Sequence, residues 1–275
     1  MTSLPRTLTP ASRPLRWDWL SWLLLAVLVA ASVAVWQRVP LSLPVHWNWA
    51  GEPDSYASRD LALTMMPLAA SGSMLLCWLL TRGMPVRQSG LVTRAVRRVL
   101  HGMLGLFVLM HAALIVSALG GTVSVPRVAL DGAALLVILL GVVMRTVPQN
   151  GVIGVRIPAT LSSTAVWQRT HRLCSTLMIL AGCLTLAASL LSVSLQTAVL
   201  VGGLLLTAVV SVLFAIRLRR LLDPSNTPPP VDLQPVDSDA TDEPDSEAVD
   251  PEAVDPDAVD PDDDLFTGDA TGRAA

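Results

Sequence analysis

The chain has 275 residues, of which 15% are charged and 52% are hydrophobic, and its mean hydropathy is +0.56. A soluble domain carries about 25% charged residues, so this composition excludes an ordinary water-soluble globular protein. All 19 basic residues are arginines, and 18 of them precede residue 223, together with five acidic residues. Residues 223–275 hold the other 17 acidic residues. The net charge of −3 therefore averages two unlike parts and indicates nothing about partners.

Six apolar stretches are predicted to cross a bilayer as helices. A bilayer core of about 30 Å needs roughly 20 apolar residues, because lipid offers no hydrogen-bond partner to an exposed backbone. The first stretch could be a secretory signal, but its length and its three tryptophans favour an uncleaved span. The sequence thus predicts an all-α integral membrane protein with spans at 19–36, 61–80, 100–119, 128–144, 173–193 and 197–216.

Arginines set the predicted orientation, since positively charged loops are retained in the cytoplasm. With both termini cytoplasmic, 15 arginines of the first 222 residues lie inside, and only Arg38, Arg59 and Arg127 lie outside. This asymmetry explains the positive charge without a nucleic-acid partner, which would need a basic face on a soluble module. The basic segment 91–100 predicts either an interfacial helix on anionic headgroups or a cytoplasmic extension of the third span.

Four parts follow from these spans. The last part is predicted to be a disordered acidic tail, because Glu/Asp-Ala-Val-Asp-Pro repeats three times and its prolines and like charges oppose a helix and a core. The tail could tether a basic partner, mask the arginine loops or merely solubilise the protein. The parts are a cytoplasmic segment (1–18), a first membrane domain (19–99) with extracytoplasmic loop 38–60 and a basic cytoplasmic loop, a second membrane domain (100–222) with cytoplasmic loop 145–172, and the tail (223–275).

The outer loop, between the first two spans, is long enough to hold a site. Two prolines enforce an extended entry, and Gly51 with Pro53 and Asp54 predicts a turn. His46, Glu52 and Asp54 could hold a cation, but three donors in one flexible loop are a weak metal signal. We therefore predict no metal and no cofactor here, and the alternative to a binding loop is a turn anchored by tryptophan at the interface.

The inner loop, between the fourth and fifth spans, is the second candidate. Thr160, Ser162 or Ser163 can cap a short helix whose i, i+4 spacing brings Trp167 and His171 onto one face. A tight, glycine-bearing approach precedes this helix. No Lys-Ser/Thr pair follows the glycines, which excludes a phosphate-binding loop.

Both loops resemble known families. The outer loop resembles a short bacterial membrane domain of unknown function with the pattern Pro-x-His-Trp/Phe-Asn, then Gly-x-Pro-Asp. The inner loop resembles the SdpI family, whose pattern is Asn, Gly-Ile/Val-Arg-Thr-Pro-Trp-Thr, Trp and Thr-His-Arg; Ile157 and Ala159 stand where that family favours Thr and Trp. The matching residues are Pro44, His46, Trp47, Asn48, Gly51, Pro53 and Asp54 outside, and Asn150, Gly154, Val155, Arg156, Pro158, Thr160, Trp167, Thr170, His171 and Arg172 inside.

The resemblance implies an immunity or signal-sensing factor of the bacterial cell (inner) membrane. The founding SdpI protein protects a bacterium from a secreted toxic peptide and, when occupied, recruits a transcriptional repressor to the membrane. For this chain the implied partners are the bilayer, a toxic peptide or envelope signal outside, and a cytoplasmic regulator inside. The residues expected to meet them are His46, Trp47, Asn48, Glu52 and Asp54 in the outer loop, and Asn150, Gly154, Arg156, Pro158, Thr160, Trp167 and His171 in the inner loop.

Single polar residues inside the spans complete the predictions. His111, near the middle of the third span, is a candidate site because an ionisable group is unfavourable there; the alternative is a neutral histidine bonded to a neighbouring helix. Asp131 and the nearby Arg127 predict an interfacial ion pair. No nucleophile and base pair, carboxylate dyad or cofactor fingerprint appears, so we predict no catalytic residue and no enzyme. The alternative function is a small-solute transporter or channel component, although inverted repeats and broken helices, typical of transporters, are not evident.

Overall fold

The computed structural model of the protein describes residues 18–82 and 86–222. The predicted cytoplasmic segment, apart from Asp18, and the predicted acidic tail lie outside these residues. The elements in chain order are α1 (Trp19–Val35), β1 (Ser42–Trp47), β2 (Pro53–Ser58), α2 (Arg59–Arg82), α3 (Val86–Ala118), α4 (Val125–Met144), α5 (Pro158–Leu161), α6 (Thr164–Ala188) and α7 (Val193–Leu221).

The prediction of an all-α multi-pass membrane protein is confirmed. Within the described residues, α2, α3, α4, α6 and α7 are long and apolar enough to cross a membrane. Many large apolar side chains on them face outward, Leu68, Leu184 and Leu213 being about 60% exposed or more, as suits a lipid-facing surface. Helix α1 is apolar but has 17 residues, below the roughly 20 that a span needs. A sixth span therefore stays a prediction.

Helices α1, α2 and α3 share one apolar core. Helix α3 runs unbroken for 33 residues, so segment 91–100 is an extension of the third span. Its buried side chains Val92, Val96 and Leu100 lie in one cluster with Leu28 of α1 and Met74 of α2. The apolar face that an interfacial helix would have inserted into the bilayer is instead buried in protein, because α1 and α2 cover it.

Asp18 ties the start of α1 to α3. Its Oδ1 accepts hydrogen bonds from the Ser21 amide (3.1 Å) and from His101 Nε2 (3.0 Å), and Arg97 Nε lies 3.7 Å from Oδ2. Partial burial alone would raise the pKa of Asp18, but the hydrogen bonds from Ser21 and His101 outweigh it and lower that pKa below its ordinary value. An ionised Asp18 therefore caps α1 and anchors it.

Helix α6 packs between α4 and α7, and small residues allow the close approach. A Cβ at Gly141 of α4 would lie 2.9 Å from the carbonyl oxygen of Ser175, and one at Gly182 of α6 would lie 2.8 Å from that of Ala134. Both distances are too short for a real side chain. Close backbone approach at glycine is the usual way in which membrane helices gain packing.

The predicted pair between Asp131 and Arg127 is wrong. Gln196 of α7 is fully buried and its Nε2 donates to Asp131 Oδ1 at 2.7 Å, whereas no ion pair joins Asp131 to Arg127 in the described part of the chain. The reason is that Asp131 faces the neighbouring helix α7. The carboxylate thus links α4 to α7.

Candidate functional site

The outer loop is a two-stranded antiparallel hairpin. Strands β1 and β2 pair from Ser42↔Ser58 to Trp47↔Pro53. Asn48 organises the tip, since its Oδ1 accepts hydrogen bonds from the amides of Ala50 (2.9 Å) and Glu52 (3.0 Å). Gly51 closes the turn with φ +85°, a conformation that favours glycine. The Asn and Gly of the outer motif are therefore turn-forming residues.

His46 and Asp54 join the two strands on the exposed face. His46 Nδ1 lies 2.6 Å from Asp54 Oδ1, and because the carboxylate can only accept, the Nδ1–H of His46 donates. Asn48 Nδ2 donates to Glu52 Oε2 at 3.2 Å. These exposed polar groups offer hydrogen bonds to a ligand, and within the described residues no three His, Cys, Asp or Glu side chains are placed to hold a metal ion.

Trp47 differs from the other outer residues because it faces the helices. It packs against the buried cluster that includes Leu43, Leu63 and Leu114, so it anchors the hairpin to α2 and α3. The exposed aromatic rings of the hairpin are instead those of Trp49 and Tyr56. Neither was among the predicted site residues, and the two-residue alternation of β1 gives no signal for them, since Trp49 follows Trp47 by two positions and Tyr56 lies on β2.

In the inner loop, Asn150 and Thr160 fold the backbone onto itself. Asn150 Oδ1 accepts from the amides of Val152 (2.7 Å) and Ile153 (2.9 Å), which is an Asx turn. Thr160 Oγ1 donates to the Val155 carbonyl oxygen at 2.7 Å. Both motif side chains are buried. They hold the shape of the loop and do not present themselves to a partner.

The predicted Trp167 and His171 pair forms, but inside the protein. Ser163 caps α6 by accepting from the Val166 amide, and the rings of Trp167 and His171 stack with centroids 3.9 Å apart. Each ring has 1% relative exposure. Trp167 Nε1 donates to the Val147 carbonyl oxygen at 3.0 Å, so the indole binds the chain segment that follows α4.

Two hydrogen bonds fix the state of the His171 ring. Its Nδ1 donates to the Trp167 carbonyl oxygen (2.8 Å), and its Nε2 accepts from the Val155 amide (3.1 Å). This arrangement selects the neutral tautomer with its proton on Nδ1. Gly154, at φ +127°, passes over these rings, where a Cβ would collide with His171 Nε2 and lie 3.0 Å from the Trp167 ring. The glycine, tryptophan and histidine of the inner motif thus form one interlocked unit.

Of the predicted inner residues, Arg156 and Pro158 are the ones that reach solvent. Arg156 has no ion-pair partner among the described residues. Gln149 was missed: its Nε2 donates to the carbonyl oxygens of Thr160 (2.9 Å) and Leu161 (2.6 Å), and its Oε1 accepts from Thr164. The sequence signal that could have indicated Gln149 is its position next to Asn150, in a loop that has few other amide side chains.

His111 lies two helical turns from the end of α3, at the hairpin end of the helices. It is fully buried, and its Nε2 lies 2.9 Å from Ser32 Oγ of α1, which donates to the Leu63 carbonyl oxygen of α2 at 2.8 Å. This geometry agrees with a histidine bonded to a neighbouring helix. His111 Nδ1 has no partner within the described residues.

The hairpin tip touches the start of α7, far along the chain. Ser194 Oγ donates to the Trp49 carbonyl oxygen at 3.2 Å. Val193 packs against Gly51 so closely that a Cβ on Gly51 would lie 3.1 Å from the Val193 side chain. At its other end α7 contributes Ala215 and Leu218 to a buried cluster with Val166 of α6. One helix thus connects the hairpin to the inner loop.

The fold and these two motif loops define a multi-pass α-helical membrane protein with a hydrogen-bonded hairpin at one end and an interlocked loop at the other. Two family models match the chain, the "SdpI/YfhL protein family" over residues 146–216 and the "Domain of unknown function (DUF1648)" over residues 23–70. "Immunity protein SdpI" of Bacillus subtilis (strain 168) is 25% identical over 182 residues, which cover 66% of this chain and 86% of that protein.

These matches confirm the resemblance on which the sequence prediction rests: the chain is a membrane protein similar to the SdpI family. The first model spans the inner loop, α6 and most of α7, and the second spans most of α1, the hairpin and the first half of α2. No solved structure matches the chain.

Proposed function

We propose that this protein is an immunity or signal-sensing factor that meets a toxic peptide or envelope signal on its hairpin and contacts a cytoplasmic regulator through its inner loop. The Bacillus relative is an immunity protein by name, which supports the immunity role. The contact between the hairpin tip and α7 carries the rest of the proposal. Through this contact a signal at the hairpin would act on α7, whose other end packs beside the inner loop.

The hairpin has the surface that an amphipathic peptide requires. Trp49 and Tyr56 expose large rings, and such rings suit the membrane interface because the ring is apolar and its N–H or O–H group is polar. His46 and Asp54 add polar groups on the same exposed hairpin. A peptide lying along the membrane surface would meet aromatic and polar groups together.

The route to the inner loop begins at the tip. A peptide that displaced Gly51 or Trp49 would act on Val193 and Ser194, the first residues of α7. Because a helix is stiff along its axis, a shift at its first turn reaches Leu218, which packs beside the loop. The loop itself is interlocked, so it would respond as a unit.

Arg156 is the group of the inner loop best placed to bind a cytoplasmic regulator when such a shift occurs. It is exposed between Gly154 and Pro158, and no carboxylate of the described residues neutralises it. A guanidinium presents a planar fork of donors that binds a carboxylate through two bonds. We therefore assign the contact with an acidic group of the cytoplasmic regulator to Arg156.

A survival assay tests the hairpin role. A host strain lacking the gene is challenged with concentrated culture supernatant of its parent, with and without a plasmid copy. The wild-type copy should restore survival and Asp54→Ala should not, whereas Asp60→Ala, which removes an exposed carboxylate just outside the hairpin, should protect fully at equal membrane level. Equal survival of the empty-vector strain, or full protection by Asp54→Ala, would contradict the proposal.

A further inference from the structure

A polar cleft lies beside the interlocked loop, at the end of the helices opposite the hairpin. It has a volume of about 270 Å³ and is open to the surroundings. Its charged lining groups are two arginines, Arg145 directly after α4 and Arg172 within α6. The stacked pair Trp167 and His171 also lines the cleft.

The positive charge of this cleft is not neutralised by the described residues, and both of its arginines are exposed. Neither Arg145 nor Arg172 has an ion-pair partner among the described residues. At this end of the helices the described chain offers one carboxylate, Asp18, and that group is bound by His101, with Arg97 beside it. Two guanidinium groups that share a cleft repel each other unless a negative group lies between them.

The position of the cleft indicates which anion can reach it. Arg145 directly follows Met144, the last residue of the apolar helix α4, and Arg172 directly precedes the apolar run that begins at Leu173. Both arginines therefore lie at the depth where the hydrocarbon gives way to lipid headgroups. A phosphodiester of the bilayer is present at that depth at high local concentration.

Apolar surface continues from each arginine toward the centre of the bilayer. On α4, Val142 and Leu135 are exposed on the side of the helix that carries Arg145, and on α6 Leu180 is exposed about two turns beyond Arg172. Acyl chains can lie along these stripes while the phosphate remains at the cleft. A free anion in solution would make no use of them.

We infer that this cleft binds the phosphate of an anionic phospholipid headgroup, held between the guanidinium groups of Arg145 and Arg172. Guanidinium groups bind phosphate through paired, charge-assisted hydrogen bonds. A lipid bound there would brace the end of α4 against α6, beside the loop that Trp167 and His171 interlock. The site is independent of the proposed immunity function.

The test is lipid retention by the full-length protein. The protein is reconstituted in nanodiscs of mixed phosphatidylglycerol and phosphatidylcholine, re-extracted, and its retained lipid measured by native mass spectrometry. Wild type should retain phosphatidylglycerol in preference to phosphatidylcholine. The double variant Arg145→Gln, Arg172→Gln should retain at least about tenfold less phosphatidylglycerol. The loss of a single charge-assisted hydrogen bond corresponds to roughly that factor.

The control is the double variant Arg169→Gln, Arg217→Gln, which removes the same charge from exposed positions outside the cleft and should retain wild-type lipid. If the cleft double variant is not recovered folded, the single variants Arg145→Gln and Arg172→Gln replace it, and each should retain less. Unchanged retention in the cleft variants, or equal loss in the control, overturns the inference.

The source of the phosphate is tested separately. Lipid-stripped protein in detergent is titrated with inorganic phosphate and with a short-chain phosphatidylglycerol, and its thermal stability is followed. The lipid should raise the melting temperature at far lower concentration than inorganic phosphate. Equal responses to both would overturn the assignment to a lipid. If an acidic peptide displaced the lipid and inorganic phosphate did not, the cleft would be assigned to a protein partner instead.

Discussion

At the scale of single residues, most of the inner motif serves the shape of the loop. The helical spacing of Trp167 and His171 was sufficient to predict that they share a face. It could not predict that this face is buried, because the backbone that covers it, at Gly154 and Val155, belongs to the loop that precedes α6. Burial of a motif residue depends on such non-local packing, which a sequence pattern alone does not contain.

Gly154→Ala tests this interlock. The new Cβ would collide with His171 and Trp167, and the positive φ would be strained, so we expect a loss of about 1–3 kcal/mol or more in stability. The measurement is thermal unfolding of the purified protein in detergent. Gly151→Ala is the matched control, since its Cβ meets nothing within 4 Å, and it should unfold like wild type. A Gly154→Ala protein as stable as the control would refute the interlock.

Arg156→Lys tests the proposed contact of Arg156 with an acidic group of the cytoplasmic regulator. The substitution keeps the positive charge, and hence the predicted orientation, but removes the planar fork. We expect normal membrane insertion with loss of protection in the survival assay described above. Arg169→Lys, another exposed arginine on the same side, should protect fully. Full protection by Arg156→Lys would reduce that residue to an orientation signal.

At the scale of elements, helices were predictable and the strands were not. Long apolar runs allow only a helix in lipid, since every backbone group needs an internal partner. Each predicted span coincides with a helix except at its ends, where the span 173–193 runs past Ala188, the last residue of α6, to the start of α7. The sequence of the outer loop predicts a turn at Gly51, and the structure contains that turn. Its strands were missed because prolines 44 and 53 weaken a strand pattern, whereas a hairpin packed on α2 and α3 tolerates them.

Asp18→Ala tests the anchoring of α1. The pKa of Asp18 in the folded protein lies below its ordinary value of 3.8, so its stabilising effect is present above about pH 4 and is lost as the pH falls through the lowered pKa. Removing the side chain should cost about 1 kcal/mol at neutral pH, as for other N-caps. Thermal unfolding should show that this difference from wild type narrows below about pH 4.

The control for α1 is Asp60→Ala, which removes an exposed carboxylate at the start of α2 and should change stability little at any pH. A wild-type melting temperature for Asp18→Ala at neutral pH would mean that the bonds to Ser21 and His101 contribute nothing to the anchoring of α1.

At the scale of the whole molecule, the sequence predicts a bundle and its orientation but not its connections. The hydrogen bond between Ser194 and Trp49 joins residues 145 positions apart, and neither residue carries a local signal of the other. The same holds for Gln196 and Asp131. Long-range contacts of this kind arise from how helices pack, and they place the hairpin and the inner loop against opposite ends of the same helix, α7.

The account requires above all that the hairpin faces outward and the inner loop faces the cytoplasm, as the asymmetry of 15 arginines against three predicts. Alkaline phosphatase, which is active only outside the cytoplasm, tests this when inserted in the full chain after Asp54 or after Gln168. At equal expression the enzyme should be active at Asp54 and inactive at Gln168. Activity at Gln168, or none at Asp54, would contradict the orientation and with it the proposed encounter with a peptide from outside.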